Sequence, residues 1–130
     1  MIIHPGSATG CETKDEGIVC LAKALNRALE KDSKVTIVLE NGAHARKTVG
    51  GDLNDFAKLL QLLDHPEKIK FCIDTAHAHS FGYDVVGQEA QDVFLEQVDH
   101  IIGRKNIALL HLNETDQECG SYIDKHANFG

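Results

Sequence analysis

The sequence predicts an α/β fold on a parallel sheet, with about four strands and three intervening helices. Two observations carry this. Strand-like and helix-like patterns alternate as β-α-β-α-β-α-β, with strands recurring about every 30 to 40 residues, the length of a βαβ unit. Each strand pattern is a continuous apolar run rich in Ile, Val or Leu, as in strands covered on both faces. Such alternation fits an open sheet or part of a barrel. The sequence contains no G-x-G-x-x-G and no G-x-x-x-x-G-K, which weakens the nucleotide-binding open sheet.

In chain order, the strands are predicted at Ile2–His4, Val35–Glu40, Ile69–Asp74 and Ile107–Asn113. The first helix runs from about Asp15 to Lys31, with Ile18, Leu21, Ala22, Leu25, Ala28 and Leu29 on one stripe. The second runs from Asp52 to Leu63. Asp52 follows Gly51 as an N-cap, and His65-Pro66 stops the helix. The third runs from about Gln88 to Ile102 and is closed by Gly103. A polar tail from Glu114 to Gly130 follows, and residues 1–130 read as a single domain.

Composition sets limits on function. The chain has 130 residues, 42% of them hydrophobic, enough for one modest core. No run of roughly 18 apolar residues is present, so no membrane span is expected. The start Met1-Ile2-Ile3-His4-Pro5-Gly6 does not read as a signal peptide. Cys11, Cys20, Cys72 and Cys119 form no C-x-x-C pair and read as reduced, mostly buried thiols of an intracellular protein. The net charge of −7 makes a poor generic nucleic-acid binder unless bound cations change the local field.

The strand ends carry the chemistry. His4 closes the first strand, Glu40 the second and Asp74 the third, with His77 one turn later, and His111 lies near the end of the fourth. Functional groups gather at this edge of α/β barrels. Mixtures of histidine and carboxylate suit zinc and similar divalent ions. Asp124-Lys125-His126 adds two more ligand types, which face one side if the segment is extended. Alone, each has an ordinary explanation: a surface histidine, a helix cap, a satisfied core residue or an exposed tail. Together they put a ligand type at every strand end. His65 and His100 fit surface positions at helix ends, while His44 and His79 are expected in loops on the same edge.

These segments resemble a known family. Ile3-His4-Pro5-Gly6-Ser7, Leu39-Glu40-Asn41, Cys72-Ile73-Asp74-Thr75-Ala76-His77-Ala78, Phe81-Gly82-Tyr83-Asp84, Leu110-His111-Leu112-Asn113 and Asp124-Lys125-His126 are similar, in order and spacing, to the successive signatures of endonuclease IV. The resemblance implies a (β/α)₈ barrel of the xylose isomerase-like superfamily holding three zinc ions. It implies an apurinic/apyrimidinic endonuclease of DNA repair, cutting DNA 5′ to abasic sites and leaving a 3′-hydroxyl. No redox cofactor is implied. Carried over by position, His4 binds the first zinc, Glu40 bridges the first and second, Asp74 and His111 bind the second, and His77, Asp124 and His126 hold the third. Glu40 and Asp74 are the implied catalytic carboxylates. A metal-dependent sugar isomerase is the alternative within the same superfamily.

The sequence departs from the family at Glu114, where an aspartate is usual, at Lys125, where an arginine is usual, and in the loop from Gly42 to Val49. A full barrel takes roughly 250 residues, so the resemblance implies a partial TIM barrel, from the fourth strand to before the eighth. One histidine ligand of the first zinc and one carboxylate ligand of the second are then missing, and about one zinc per chain is expected at the third site. The outer strands Ile2–His4 and Ile107–Asn113 are expected as open edges that invite self-association or a complementing fragment. A gene fragment, a piece of a split enzyme and a self-associating remnant all fit, and a non-catalytic zinc-binding remnant or subunit that needs a partner is the alternative to an active enzyme.

Overall fold

The computed structural model describes residues 1–30 and 36–128. The elements are β1 (Ile2–Ile3), α1 (Lys14–Leu29), β2 (Ile37–Glu40), α2 (Leu53–Leu62), β3 (Ile69–Asp74), α3 (Thr75–Phe81), α4 (Gln88–Ile101) and β4 (Ile107–His111). Single 3₁₀ turns at Pro66–Lys68 and Arg104–Asn106 lead into β3 and β4. The strands form one parallel sheet in the order β1-β2-β3-β4. No helix among the described residues is long and apolar enough to cross a membrane.

Three of the helices match the predicted patterns, with ends shifted by a residue or two. Asp52 is the N-cap of α2 and accepts from Asn54 N at 2.9 Å. Thr13 caps α1, accepting from Glu16 N at 3.2 Å. Lys31 and Val35, at the predicted limits of the first helix and second strand, lie outside the described residues. Helix α3 is an addition to the predicted set. It starts directly at the end of β3 because Asp74 caps it, accepting from His77 N at 2.9 Å. His79 therefore sits on a helix, not in the loop expected for it.

The period-2 alternation of the strands sorts the sheet into two faces. Ile37 and Leu39 of β2 and Ile69, Phe71 and Ile73 of β3 join the hydrophobic core, packing with α1 (Ile18, Leu25), α2 (Phe56, Leu59) and α4 (Phe94, Val98). Phe56 and Phe71 meet at the centre, with ring centroids 4.5 Å apart. Lys14 Nζ lies 2.9 Å from Asp55 Oδ1, and the other oxygen of Asp55 accepts from Gly50 N, so this buried carboxylate ties α1 to α2 with both oxygens satisfied. The opposite face of the sheet carries Val38, Glu40, Lys70, Cys72 and Asp74.

Two expectations are corrected here. The fourth strand ends at His111 rather than Asn113, and it is not covered on both faces. Leu109 and Leu110 are 39% and 48% exposed, and Leu112 just beyond is 65% exposed. The sheet ends at β4, and among the described residues no further strand or helix lies outside it. The cysteines are also not mostly buried: Cys20 and Cys119 are exposed, Cys11 is intermediate and only Cys72 is buried. Cys20 falls off the inward stripe that Ile18, Ala22, Leu25 and Leu29 define on α1.

Candidate metal centre

All seven ligand-type residues expected at the strand ends and in the tail line one open cavity of about 630 Å³, with Leu110, Leu112 and Asn113 completing its wall. The parallel sheet explains the convergence, because four strands running one way deliver their last residues to one rim. His4 lies one residue past β1, Glu40 and Asp74 end β2 and β3, and His111 ends β4 directly opposite Asp74 in the register. His77 reaches the cavity from α3.

The tail brings Asp124 and His126 to the same place, and it does so by docking on α3. Gly120 N donates to His79 O at 3.0 Å and Tyr122 N to Ser80 O at 2.8 Å. His44 Nδ1 contacts the Tyr122 carbonyl at 2.9 Å, and the Tyr122 ring meets Phe81 edge-on. Ala127 N then donates to Glu114 O at 2.8 Å, closing the tail into a loop whose two ends pair. Lys125 points away from the cavity to Asp116, 2.6 Å distant, and its ammonium holds that carboxyl below the usual range.

His77, Asp124 and His126 form a tight group. His77 Nε2 lies 3.2 Å from Asp124 Oδ1 and 3.2 Å from His126 Nε2, and the third edge of the triangle is 3.7 Å. On its other side, His77 Nδ1 is 2.8 Å from the Asn41 carbonyl. A carbonyl only accepts, so Nδ1 carries the proton and Nε2 presents its lone pair to the group. Two ring nitrogens facing each other at hydrogen-bond distance beside a carboxylate suit a shared cation. In a tetrahedral zinc site with bonds of about 2.0–2.1 Å, ligand atoms stand about 3.3–3.4 Å apart. This donor set therefore fits a zinc-like ion without rearrangement. Asp74 Oδ2 is 3.9 Å from His126 Nε2, and Asp74, His77 and His126 each place a donor atom within 4.8 Å of the others.

Glu40 organises the other half of the cavity. One of its oxygens faces His4 Nε2 at 3.6 Å and the other accepts from His111 Nδ1 at 2.6 Å. It thus spans two imidazoles, as a bridging ligand does. The 2.6 Å contact is too short to bracket an ion, so metal binding there requires Glu40 and His111 to part. Glu40 and Asp74 are buried, at 7% and 0% exposure, yet among the described residues no lysine or arginine lines the cavity. Buried carboxylates call for compensating positive charge, and here only imidazoles or a bound cation supply it.

Two asparagines do structural work that residue type alone did not signal. Asn41 is fully buried and pairs with the backbone of Asp74, accepting from its N–H at 2.6 Å and donating to its carbonyl at 3.1 Å. Asn113 Nδ2 donates to Asp74 Oδ2 at 2.6 Å, and Asn113 is itself clamped by Thr75 Oγ1. Asp74 is therefore held by Asn113 on one oxygen and His77 N on the other. Asn41 follows Glu40 directly and Asn113 lies two residues after His111, and both fall inside the segments that carry the family resemblance, a signal that could have found them. Cys72 sits beneath the cavity floor, where burial, aided by the charge of Glu40, pushes its thiol up to about 11. His79 does not join the site: it lines a separate apolar groove with Val85 and Phe94, and its buried Nδ1 has no partner among the described residues. His65 and His100 lie on the surface.

A parallel α/β sheet with a metal-ligand rim defines a class, and comparison with known proteins places the chain within it. The xylose isomerase-like TIM barrel family matches residues 1–130 in full, and the chain belongs to it. Its relatives include the probable endonuclease 4 of Thermosipho melanesiensis, 36% identical over 98% of this chain and 45% of that protein. Apurinic-apyrimidinic endonuclease 1 of Schizosaccharomyces pombe is 38% identical over 98% of this chain and 37% of its own length. The crystal structure of endonuclease IV from Thermus thermophilus superposes with a TM-score of 0.77 at 29% identity, covering 97% of this chain and 43% of that one. The chain thus spans less than half the length of the relatives it matches.

Proposed function

We propose that this chain forms the metal-binding part of an apurinic/apyrimidinic endonuclease, which hydrolyses the DNA backbone 5′ to abasic sites and leaves a 3′-hydroxyl. The observation that carries the reading is the His77–Asp124–His126 triangle, spaced for a tetrahedral ion, beside buried Glu40 and Asp74. The names of the relatives support the same activity. His77, Asp124 and His126 would hold one zinc ion, with His4, Glu40, Asp74 and His111 toward two others.

Bound zinc ions supply Lewis-acid charge that offsets the negative phosphate. The residues supply the rest. Asn41 fixes the His77 tautomer through its carbonyl, so Nε2 stays a lone-pair donor. Asn113 and the His77 N–H hold the Asp74 carboxylate in one orientation. Glu40 keeps one oxygen toward each side of the cavity. The open cavity admits a backbone phosphate, and the charge of −7 makes cation loading a condition for DNA contact. An intracellular location, where DNA is held, follows from this reading.

A second reading has its own observation. The uncovered β4, with Leu109 and Leu110 exposed, suits a zinc-binding subunit that acts only with further polypeptide against its edge. Incision of a duplex carrying one abasic site, with and without chelator, tests both. Chelator-sensitive cleavage with a 3′-hydroxyl end supports the endonuclease. Absence of cleavage at any concentration of this chain, with cleavage on adding the rest of a relative's barrel, supports the subunit. Sugar isomerisation without cleavage contradicts both.

A further inference from the structure

Two of the four cysteines meet outside the cavity. The loop from β1 to α1 lies directly on the first turns of that helix: a Cβ on Gly17 would stand 2.3 Å from the Ala8 Cβ. Glu12 N donates to Glu16 Oε2 at 2.9 Å, and Cys11 N donates to Ala8 O at 3.0 Å. Cys20 follows Glu16 by one helical turn on the same face. The half-buried Cys11 is thereby set against the exposed Cys20, and the two thiols are hydrogen-bonded. We propose that Cys11 and Cys20 form a reversible dithiol–disulfide site that clamps the loop following His4 to α1. The pair lines no part of the cavity and is independent of the reaction performed there.

The clamped loop holds a second one. Ala8 N donates to Lys47 O at 2.8 Å, Val49 N to Gly6 O at 3.0 Å, and the Lys47 ammonium to the Cys11 carbonyl. Both segments leave the cavity rim, one after His4 and one after Glu40, so a bond at Cys11 ties both to the helix. The oxidant is a small disulfide such as oxidised glutathione. The exposed Cys20 thiolate attacks one of its sulfurs, breaking that S–S bond, forming a mixed disulfide and releasing one thiol. Cys11 then loses its proton to solvent and attacks Cys20 Sγ, expelling the second thiol. Two protein thiols are oxidised by two electrons in total, and one small disulfide is reduced to two thiols. Burial raises the Cys11 thiol, and the charge and hydrogen bond of Cys20 raise it further. Forming the mixed disulfide removes the Cys20 contribution, which eases the second step. Cys72 is buried in β3 and Cys119 sits on the tail that docks on α3, so neither competes for the pair.

Equilibration of the full chain in mixtures of reduced and oxidised glutathione, followed by acid quench, alkylation and peptide mapping, tests the pair. A Cys11–Cys20 disulfide within one chain should form, reverse on adding reductant, and form equally in Cys119→Ser. It should need at least about 10-fold less oxidised glutathione in the folded chain than in guanidinium, because the fold holds the two sulfurs together. In the oxidised chain the amides of Ala8, Cys11 and Glu12 should exchange more slowly with deuterium, a slowing that Cys20→Ser abolishes. A mixed disulfide that stays on Cys20, crosslinks between chains through Cys20, or equal midpoints in the folded and unfolded chain would overturn the site. A bond that forms without slowing those amides would overturn the clamp. Neither result bears on whether the chain cleaves abasic DNA.

Discussion

The two halves of the cavity differ in how ready they are for an ion. Around His77 the donor atoms stand 3.2, 3.2 and 3.7 Å apart, and the tautomer of the central ring is set by a backbone carbonyl. Around Glu40 the carboxylate closes onto His111 at 2.6 Å and leaves His4 at 3.6 Å. The first half draws all its ligands from α3 and the docked tail. The second half stands at the strand ends of a sheet whose relatives continue well beyond it. Preorganisation therefore differs across the cavity: around His77 the donor spacing is close to that of a tetrahedral ion, and around Glu40 it is not.

The sheet shows the same contrast. All of β2 is buried, and so is β3 apart from the partly exposed Lys70, whereas the middle of β4 is exposed. Equal apolar runs thus carry unequal weight. The largest effect is expected at Phe71, fully buried against Phe56. Phe71→Ala should cost about 3–5 kcal/mol in a denaturant titration. A loss below about 1 kcal/mol would mean that the core is not centred on β3.

Next come the ligands. His77→Ala or His126→Ala should weaken the tightest zinc by more than about 100-fold in competition with a chelating dye, beyond the range seen for losing an outer partner. Equal weakening by His4→Ala would erase the distinction between the two halves. Asn113→Ala should have a smaller effect, about 10- to 100-fold on metal affinity, because it only orients Asp74. The smallest change is expected on the open edge. Leu110→Ala should shift stability by no more than about 0.5 kcal/mol in the isolated chain. A larger loss would show that β4 is covered in solution, with protein-concentration dependence identifying a second copy as the cover.

Much of this was legible in the sequence. Continuous apolar runs located each strand of the described residues, and the strand ends located Glu40, Asp74 and His111, because register in a parallel sheet carries position directly into space. Helix α3 was not read. Seven residues with the pattern Thr-Ala-His-Ala-His-Ser-Phe are too short for a periodic stripe, and only the capping role of Asp74 marked its start. Burial of β4 was misjudged for another reason: an apolar run looks the same whether or not a neighbouring element covers it. The path of the tail was also hidden. Its docking depends on backbone hydrogen bonds from Gly120 and Tyr122 and on the His44 ring, which lies 78 residues from its partner.

Zinc content after exhaustive dialysis, measured by mass spectrometry on the folded chain and on His126→Ala, tests the central claim most directly. About one zinc should remain on the unaltered chain, and almost none on the variant, with circular dichroism unchanged between them. Equal retention by both would contradict a metal centre built on His77, Asp124 and His126.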